Sequence, residues 1–307
     1  MQAVNLNGII PAIVTPMNSD GEIDLHQMRR YVKWLVEQGP VALAVNVDTG
    51  EGPHLTSDEK SCVIETVVEA TEGRCLVVSG IAGPSTAQAV SNAKSAQAAG
   101  ADAMLVFPIP GFLGVPLNPE VPFQYHAAIA NAVDLPMILF QLQPALGGVL
   151  YSTDILYRLI EIPTVLAIKE AAFDAMRFLQ VKAALDSASR RITLLNGNDN
   201  FIFEAFVLGA EGALLGFSTL GTREQVEMLD AVKRCDFATG RTIGQRLQPL
   251  ADVIFAPPVT DYRARTKEAL KMLGVIESTT VRLPLLPITN SERQAIWNAL
   301  ERAELLM

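Results

Sequence analysis

The stretch Val165-Leu166-Ala167-Ile168-Lys169 decides how the chain is read. Four apolar residues in succession, with no polar alternation, describe a short strand covered on both faces. That is the condition of a parallel sheet beneath helices. Seven runs of the same kind flank it: Ile9–Val14, Ala42–Val47, Cys75–Gly80, Ala103–Val106 and Met137–Phe140 before it, Ile192–Asn196 and Ala213–Gly216 after it. Their starts run from residue 9 to residue 213. The steps average roughly 29 residues, the length of a strand, a helix and two short loops.

The intervening segments carry helical signals. In Leu25–Gln38 the apolar residues Leu25, Met28, Val32, Leu35 and Val36 fall three or four apart. Thr56-Ser57-Asp58-Glu59 has the form of a capping box. Ser85 opens an alanine-rich stretch, Ser85–Ala99, that stops at Gly100, and Ser152, Asn200 and Thr222 stand at similar starts. Eight strand–helix units predict a (β/α)8 TIM barrel over residues 1–234. A doubly wound sheet is the competing architecture, but no GxGxxG follows the first strand to support its dinucleotide-binding form. Residues 235–307 read as a C-terminal helical domain, with helices at Asp236–Phe255, Asp261–Leu273 and Ser291–Ala303 separated by proline-bearing breaks.

Composition narrows the function. Of 307 residues, 50% are hydrophobic, which supports a packed core and not a disordered chain. With 24 Lys+Arg against 33 Asp+Glu the net charge is −9, the wrong sign for a nucleic-acid binder. Small anionic substrates, which meet only a local pocket, stay open. Cys62, Cys75 and Cys235 form no CxxC pair, so no disulfide framework is expected and a reducing, cytoplasmic setting is. His26, His54 and His126 are scattered, with no HExxH, and no metal site is expected. No uncharged apolar run reaches the length of about 18 residues that a membrane span needs. The segment Met1-Gln2-Ala3-Val4-Asn5-Leu6-Asn7 lacks the basic and long apolar regions of a secretory signal.

Seven of the eight lysines lie in polar, helix-like contexts, and Lys169 does not. It closes the sixth predicted strand, and catalytic groups of this fold sit at the C-terminal ends of strands. A lysine pointing into an apolar barrel mouth is desolvated, which lowers its pKa and frees the amine to attack a carbonyl. From position alone two readings stand. One is a nucleophile forming an imine with a keto acid; the other is a barrel lysine paired with a neighbouring carboxylate such as Glu170.

Five segments in order then resemble the dihydrodipicolinate synthase / N-acetylneuraminate lyase superfamily of class I, Schiff-base-forming lyases. Gly8-Ile9-Ile10-Pro11-Ala12-Ile13-Val14-Thr15-Pro16-Met17 is similar to its first strand. Thr49-Gly50-Glu51 is similar to its Thr-Gly-Glu signature, and Ala167-Ile168-Lys169-Glu170-Ala171 to its Schiff-base lysine motif. Asn196-Gly197-Asn198-Asp199 resembles its Gly-Asp-Asp turn, and Arg282–Thr289 its C-terminal segment. The resemblance implies a barrel with a C-terminal helical domain, a homotetramer or homodimer, and no cofactor. It also implies pyruvate or a related 2-keto acid bound as an imine to Lys169. Thr49, with the Asp48 and Thr49 amides, would hold the keto-acid carboxylate, an anion nest in chemical terms. Thr49, Gly50, Phe140, Gln141, Gly197 and Leu214 are the expected substrate-binding positions. Glu51 reads as a structural hydrogen-bonding group.

The pattern also departs from that family. Phe140 falls where its fifth strand ends in a tyrosine, so the hydroxyl able to move a proton is lost. Ala145 falls at the arginine that grips the aldehyde substrate's carboxylate, and Asp48 replaces the first threonine of a Thr-Thr pair. The tyrosine lent by a neighbouring subunit falls near Ile109 or Pro110. The imine-forming half is kept and the second-substrate half is rebuilt. An aldolase or dehydratase of 2-keto-3-deoxy acids is therefore expected ahead of a dihydrodipicolinate synthase or a non-catalytic keto-acid binder. Asp48 is the candidate acid/base, through a raised pKa in the pocket, against a capping or salt-bridged role. Gln141 could replace a lost hydrogen bond, and His54 is a further possible base. Tyr125 and Tyr151 read as structural.

Overall fold

The computed structural model describes residues 4–113 and 116–306. The outer limits 1 and 307 of the two-part division, and the first residues of the N-terminal segment read as carrying no signal, lie outside the described residues. In chain order the elements are β1 (Ile9–Pro11), α1 (Leu25–Val36), β2 (Ala42–Val45), α2 (Ser57–Thr71), β3 (Leu76–Ile81), α3 (Thr86–Ala98), β4 (Ala103–Val106) and α4 (Glu120–Ala130). There follow β5 (Met137–Leu142), α5 (Thr153–Ile160), β6 (Val165–Ala171), α6 (Ala175–Asp186), β7 (Thr193–Asn196), α7 (Ile202–Val207), β8 (Gly212–Leu215) and α8 (Thr222–Lys233). From β2 to β8 each strand pairs in parallel with the next, and β1 pairs with β8. At the seam, Val41 N–H donates to Ile9 O and Ile13 N–H to Ala44 O, both at 3.0 Å, so β1 also meets β2. This is the (β/α)8 barrel that the spacing predicts.

The period of two along each strand sorts side chains between two cores. Ile10, Ala12, Ala44, Val78, Leu105, Ile138, Ala167, Leu195 and Leu214 fill the barrel interior. Their alternates, among them Ile9, Leu43, Val77, Met104, Leu139 and Ile168, pack outward beneath the helices. Thr56 makes the full capping box with Glu59, while Ser85 and Ser152 cap α3 and α5 by accepting from backbone N–H groups. Asn200 and Thr222 do not cap. Phe201 precedes α7 without a side-chain cap, and Thr222 is the first residue of α8, its hydroxyl donating to Ser218 O.

Strand limits differ from expectation at two informative places. The ladder of β1 ends at Pro11, and Ala12 makes only an isolated bridge to Ala44. Conversely β6 continues two residues past Lys169, because Gln141 pairs with Glu170 and Leu142 with Ala171 across the ladder to β5.

Beyond α8 lie α9 (Phe237–Ile254), α10 (Tyr262–Met272) and α11 (Asn290–Arg302). Asp236 caps α9 and Thr289 makes a second capping box on α11. Leu247, Leu250, Ile254, Leu270 and Ile296 belong to the same apolar cluster as the helix-facing barrel residues. The 234/235 division therefore falls in the loop between α8 and α9, across a continuous core. No described helix is long and apolar enough to cross a membrane.

Candidate active site

Lys169 shares the inward parity of Ala167 and Ala171 on β6, so its side chain enters the barrel mouth. It lines a cavity of about 360 Å³ together with Asp48, Thr49, Phe140, Gly197 and Asp199. Its Nζ lies 4.3 Å from the centroid of the Phe140 ring, the cross-strand neighbour. Burial pushes the Lys169 pKa down to about 8, opposed by the negative charges of Asp199 and Asp48. Glu170 has the opposite parity and faces away from the cavity. Its carboxylate accepts from the Ala172 N–H at 2.9 Å, Asn198 Nδ2 at 2.8 Å and Gln141 Nε2 at 3.3 Å. The reading that pairs Lys169 with Glu170 is therefore wrong, for the reason that successive strand residues point to opposite faces.

The turn after β7 brings up the second ionisable group. Asn198 is held by the Asn196 side chain and by Glu170, which aims the following Asp199 into the mouth. Asp199 Oδ1 accepts from the Phe217 N–H at 3.1 Å, and burial pushes its pKa up to about 7. A Cβ on Gly197 would lie 2.9 Å from Lys169 Cε and 2.8 Å from Glu170 O. Glycine there makes room for the lysine to reach the cavity, a spatial role next to the substrate position expected of it.

The turn after β2 is braced from the C-terminal segment. Thr49 Oγ1 lies 3.2 Å from the Tyr262 hydroxyl, which donates to Asp48 Oδ2 at 2.9 Å. Arg263 pairs with the Asp48 carboxylate and donates to Asp48 O at 2.8 Å. Among the described residues no protein acceptor takes the Asp48 or Thr49 N–H, and both residues line the cavity. Just behind them Glu51, at φ 58, forms a fully buried ion pair with Lys267 at 2.5 Å and accepts the Arg282 N–H at 2.8 Å. This is the structural hydrogen-bonding role the sequence suggests for Glu51.

Four expectations need correction. Asp48 is not a desolvated carboxyl: its side chain is 45% exposed and held by Arg263 and Tyr262. Gln141 is fully buried on the outward face of β5, where it accepts the Tyr151 N–H and donates to Glu170, so it does not reach the cavity. Gly50 packs against the segment that follows β1, where a Cβ would meet Ile13 O at 2.8 Å and the Thr15 hydroxyl donates to Gly50 O. Leu214 is a barrel-interior residue, packed with Ile10 and Leu195 below the mouth. His54 lies off the cavity, 3.9 Å from Glu51, and Tyr125 and Tyr151 are buried among Phe112 and His126.

Sequence reasoning missed Tyr262 and Arg263, which come from α10 and lie more than two hundred residues from their partners. It also passed over Asp199, although the Asn196–Asp199 turn carried the signal. No group of three or more His, Cys, Asp or Glu among the described residues is arranged to hold a metal ion. The cavity thus combines an amine of lowered pKa, a carboxyl of raised pKa, and a turn of free amides. Together these are groups for carbonyl addition and proton transfer beside a bound carboxylate.

Comparison with known proteins gives one consistent result. Residues 5–303 match the model of the dihydrodipicolinate synthetase family. A 4-hydroxy-tetrahydrodipicolinate synthase of Gluconacetobacter diazotrophicus is 30% identical over 306 residues, covering 100% of both chains. One from Rhodopseudomonas palustris is 32% identical over 299 residues, covering 97% of both chains. Among solved structures, a chloride-inhibited dihydrodipicolinate synthase from Acinetobacter baumannii complexed with pyruvate superposes with a TM-score of 0.87. It is 30% identical, with 98% of this chain and 100% of that one covered.

Proposed function

This chain belongs to the dihydrodipicolinate synthetase family, a family of class I Schiff-base lyases, and on that premise we propose that it makes or breaks a bond of a 2-keto acid held as an imine on Lys169. The observation that carries the reading is the lysine itself: half-buried at the mouth, free of Glu170, with its pKa lowered to about 8. At neutral pH a fraction of the amine is unprotonated and nucleophilic, which an ordinary lysine is not.

The keto-acid carboxylate docks on the Asp48 and Thr49 N–H groups and the Thr49 hydroxyl, which brings the keto carbon to Lys169. Addition of the amine and loss of water give the iminium, which acts as the electron sink for removal of a proton from the adjacent carbon. Asp199, which shares the cavity with Lys169 and has its pKa raised to about 7, is a group suited to exchange protons with the lysine site. The Thr49–Tyr262–Asp48 hydrogen-bond chain supplies the proton path that Phe140 cannot. In this reading Asp48 orients the Tyr262 hydroxyl by accepting its hydrogen bond, and acts through Tyr262. The enzyme works as a homodimer or homotetramer, which light scattering on the purified chain checks.

Lys169→Ala should remove turnover with any 2-keto acid, and retained activity in that variant overturns the proposal. The names of the relatives at about 30% identity favour a second reading, 4-hydroxy-tetrahydrodipicolinate synthase activity. A coupled assay with pyruvate and aspartate semialdehyde separates the two. Little or no turnover is expected, because Ala145 offers no cation to the semialdehyde carboxylate.

A further inference from the structure

The cavity has two unlike walls. Asp48, Thr49, Asp199, Tyr262 and Arg263 form one; Phe107, Pro108, Phe140, Leu142, Leu146 and Phe173 form the other. The second wall stands at the C-terminal ends of the adjacent strands β4, β5 and β6 and, Lys169 aside, carries no hydrogen-bonding side chain. Phe107 and Phe140 meet edge to face, with centroids 5.0 Å apart. Phe173 sits at φ 60, a conformation costly for a residue with a bulky side chain, and its N–H donates to Asn198 Oδ1 at 2.6 Å. The turn after β6 is thus held in an unusual shape that puts an aromatic ring on the cavity.

Charge points the same way. The cationic side chains on the cavity are Lys169 and Arg263, among its described lining residues. Lys169 is consumed by the imine, and Arg263 is already engaged by Asp48 and by Thr260 O. A carboxylate on a second substrate would find no free cation and would face Asp48 and Asp199. A polyhydroxylated chain would leave hydroxyls unpaired against hydrocarbon. A flat apolar group loses nothing there and gains ring contacts.

We infer that the second substrate of this site is an aldehyde with an aryl group in place of a carboxylate or a polyol chain, seated on the Phe107–Phe140–Phe173 wall. The inference rests on the imine reading above. The enamine carbon derived from pyruvate bonds to the aldehyde carbon, and the carbonyl π pair moves to oxygen, which takes a proton as the iminium re-forms. Water then releases a 4-hydroxy-4-aryl-2-keto acid and free Lys169. Cleavage runs the same steps backwards, and neither direction needs an oxidant or reductant.

The test is a turnover panel on the full chain with pyruvate and, separately, benzaldehyde, aspartate semialdehyde and glyceraldehyde, beside borohydride trapping of pyruvate alone. Trapping together with a kcat/KM for benzaldehyde at least about tenfold above the other two supports the inference. Trapping with a preference for aspartate semialdehyde or glyceraldehyde, or with turnover of none, overturns it and leaves the imine standing. Failure to trap pyruvate removes both. Ala145, exposed on the turn after β5, offers a second arm. Ala145→Arg should move the benzaldehyde-to-semialdehyde ratio at least about tenfold toward the semialdehyde, and an unchanged ratio overturns the assignment of the wall.

Discussion

The two sides of the barrel mouth are built by opposite means. On the β2 side nearly every polar group has a partner brought from α10 or the segment after it: Asp48 with Arg263, Thr49 with Tyr262, Glu51 with Lys267. On the β4–β6 side, Lys169 aside, rings and aliphatic groups meet the cavity without a charge. Hydrogen bonds fix position and orientation, whereas apolar contact selects by shape and by the absence of polar groups. The first side suits the part of a substrate that must be held in one pose for carbonyl addition. The second suits the part that distinguishes one substrate from another.

The braced side should be the more sensitive to substitution. Lys267→Met leaves the Glu51 carboxylate without its buried counter-ion and should destabilise the fold by about 3–5 kcal/mol. Urea unfolding measures the loss, and Glu51→Gln combined with it should recover part. A loss below about 1 kcal/mol would show that the brace contributes no more than a surface ion pair.

Next in size is the proton path. Tyr262→Phe keeps the stacking on Phe255, 4.8 Å between centroids, and removes the hydroxyl that joins Thr49 to Asp48. It should lower kcat by about 10²-fold or more while the KM for the keto acid changes little. Equal losses in binding and turnover would instead make Tyr262 a support for the Thr49 turn.

The smallest effect is the response to pH, and its sign follows from burial. Lys169 has a lowered pKa, so its neutral form gains with rising pH through about 8. Imine formation should rise about tenfold per pH unit below that value and level off above it. A rate that keeps climbing past pH 9 to 10 would place Lys169 in an ordinary solvated environment.

The barrel was readable because its strands are short, apolar on both faces and evenly spaced, and Lys169 stood out as the one lysine closing such a run. The same period of two, counted one residue on from Phe140, turns Gln141 away from the cavity; that signal was present and unused. Asp199 was likewise in view, inside a turn quoted for its glycine. Tyr262 and Arg263 were not readable. Nothing local marks a helix after residue 234 as part of the mouth, and their contacts with Asp48 join positions separated by more than two hundred residues. Asp48 was found as a site residue and given the wrong surroundings, because its counter-ion comes from that distant helix.

The most direct measurement of the central claim is borohydride reduction in the presence of pyruvate, followed by peptide mass spectrometry. The account predicts that the reduced keto-acid adduct lies on Lys169 and disappears in Lys169→Ala. An adduct on any other lysine, or none with any 2-keto acid, contradicts it.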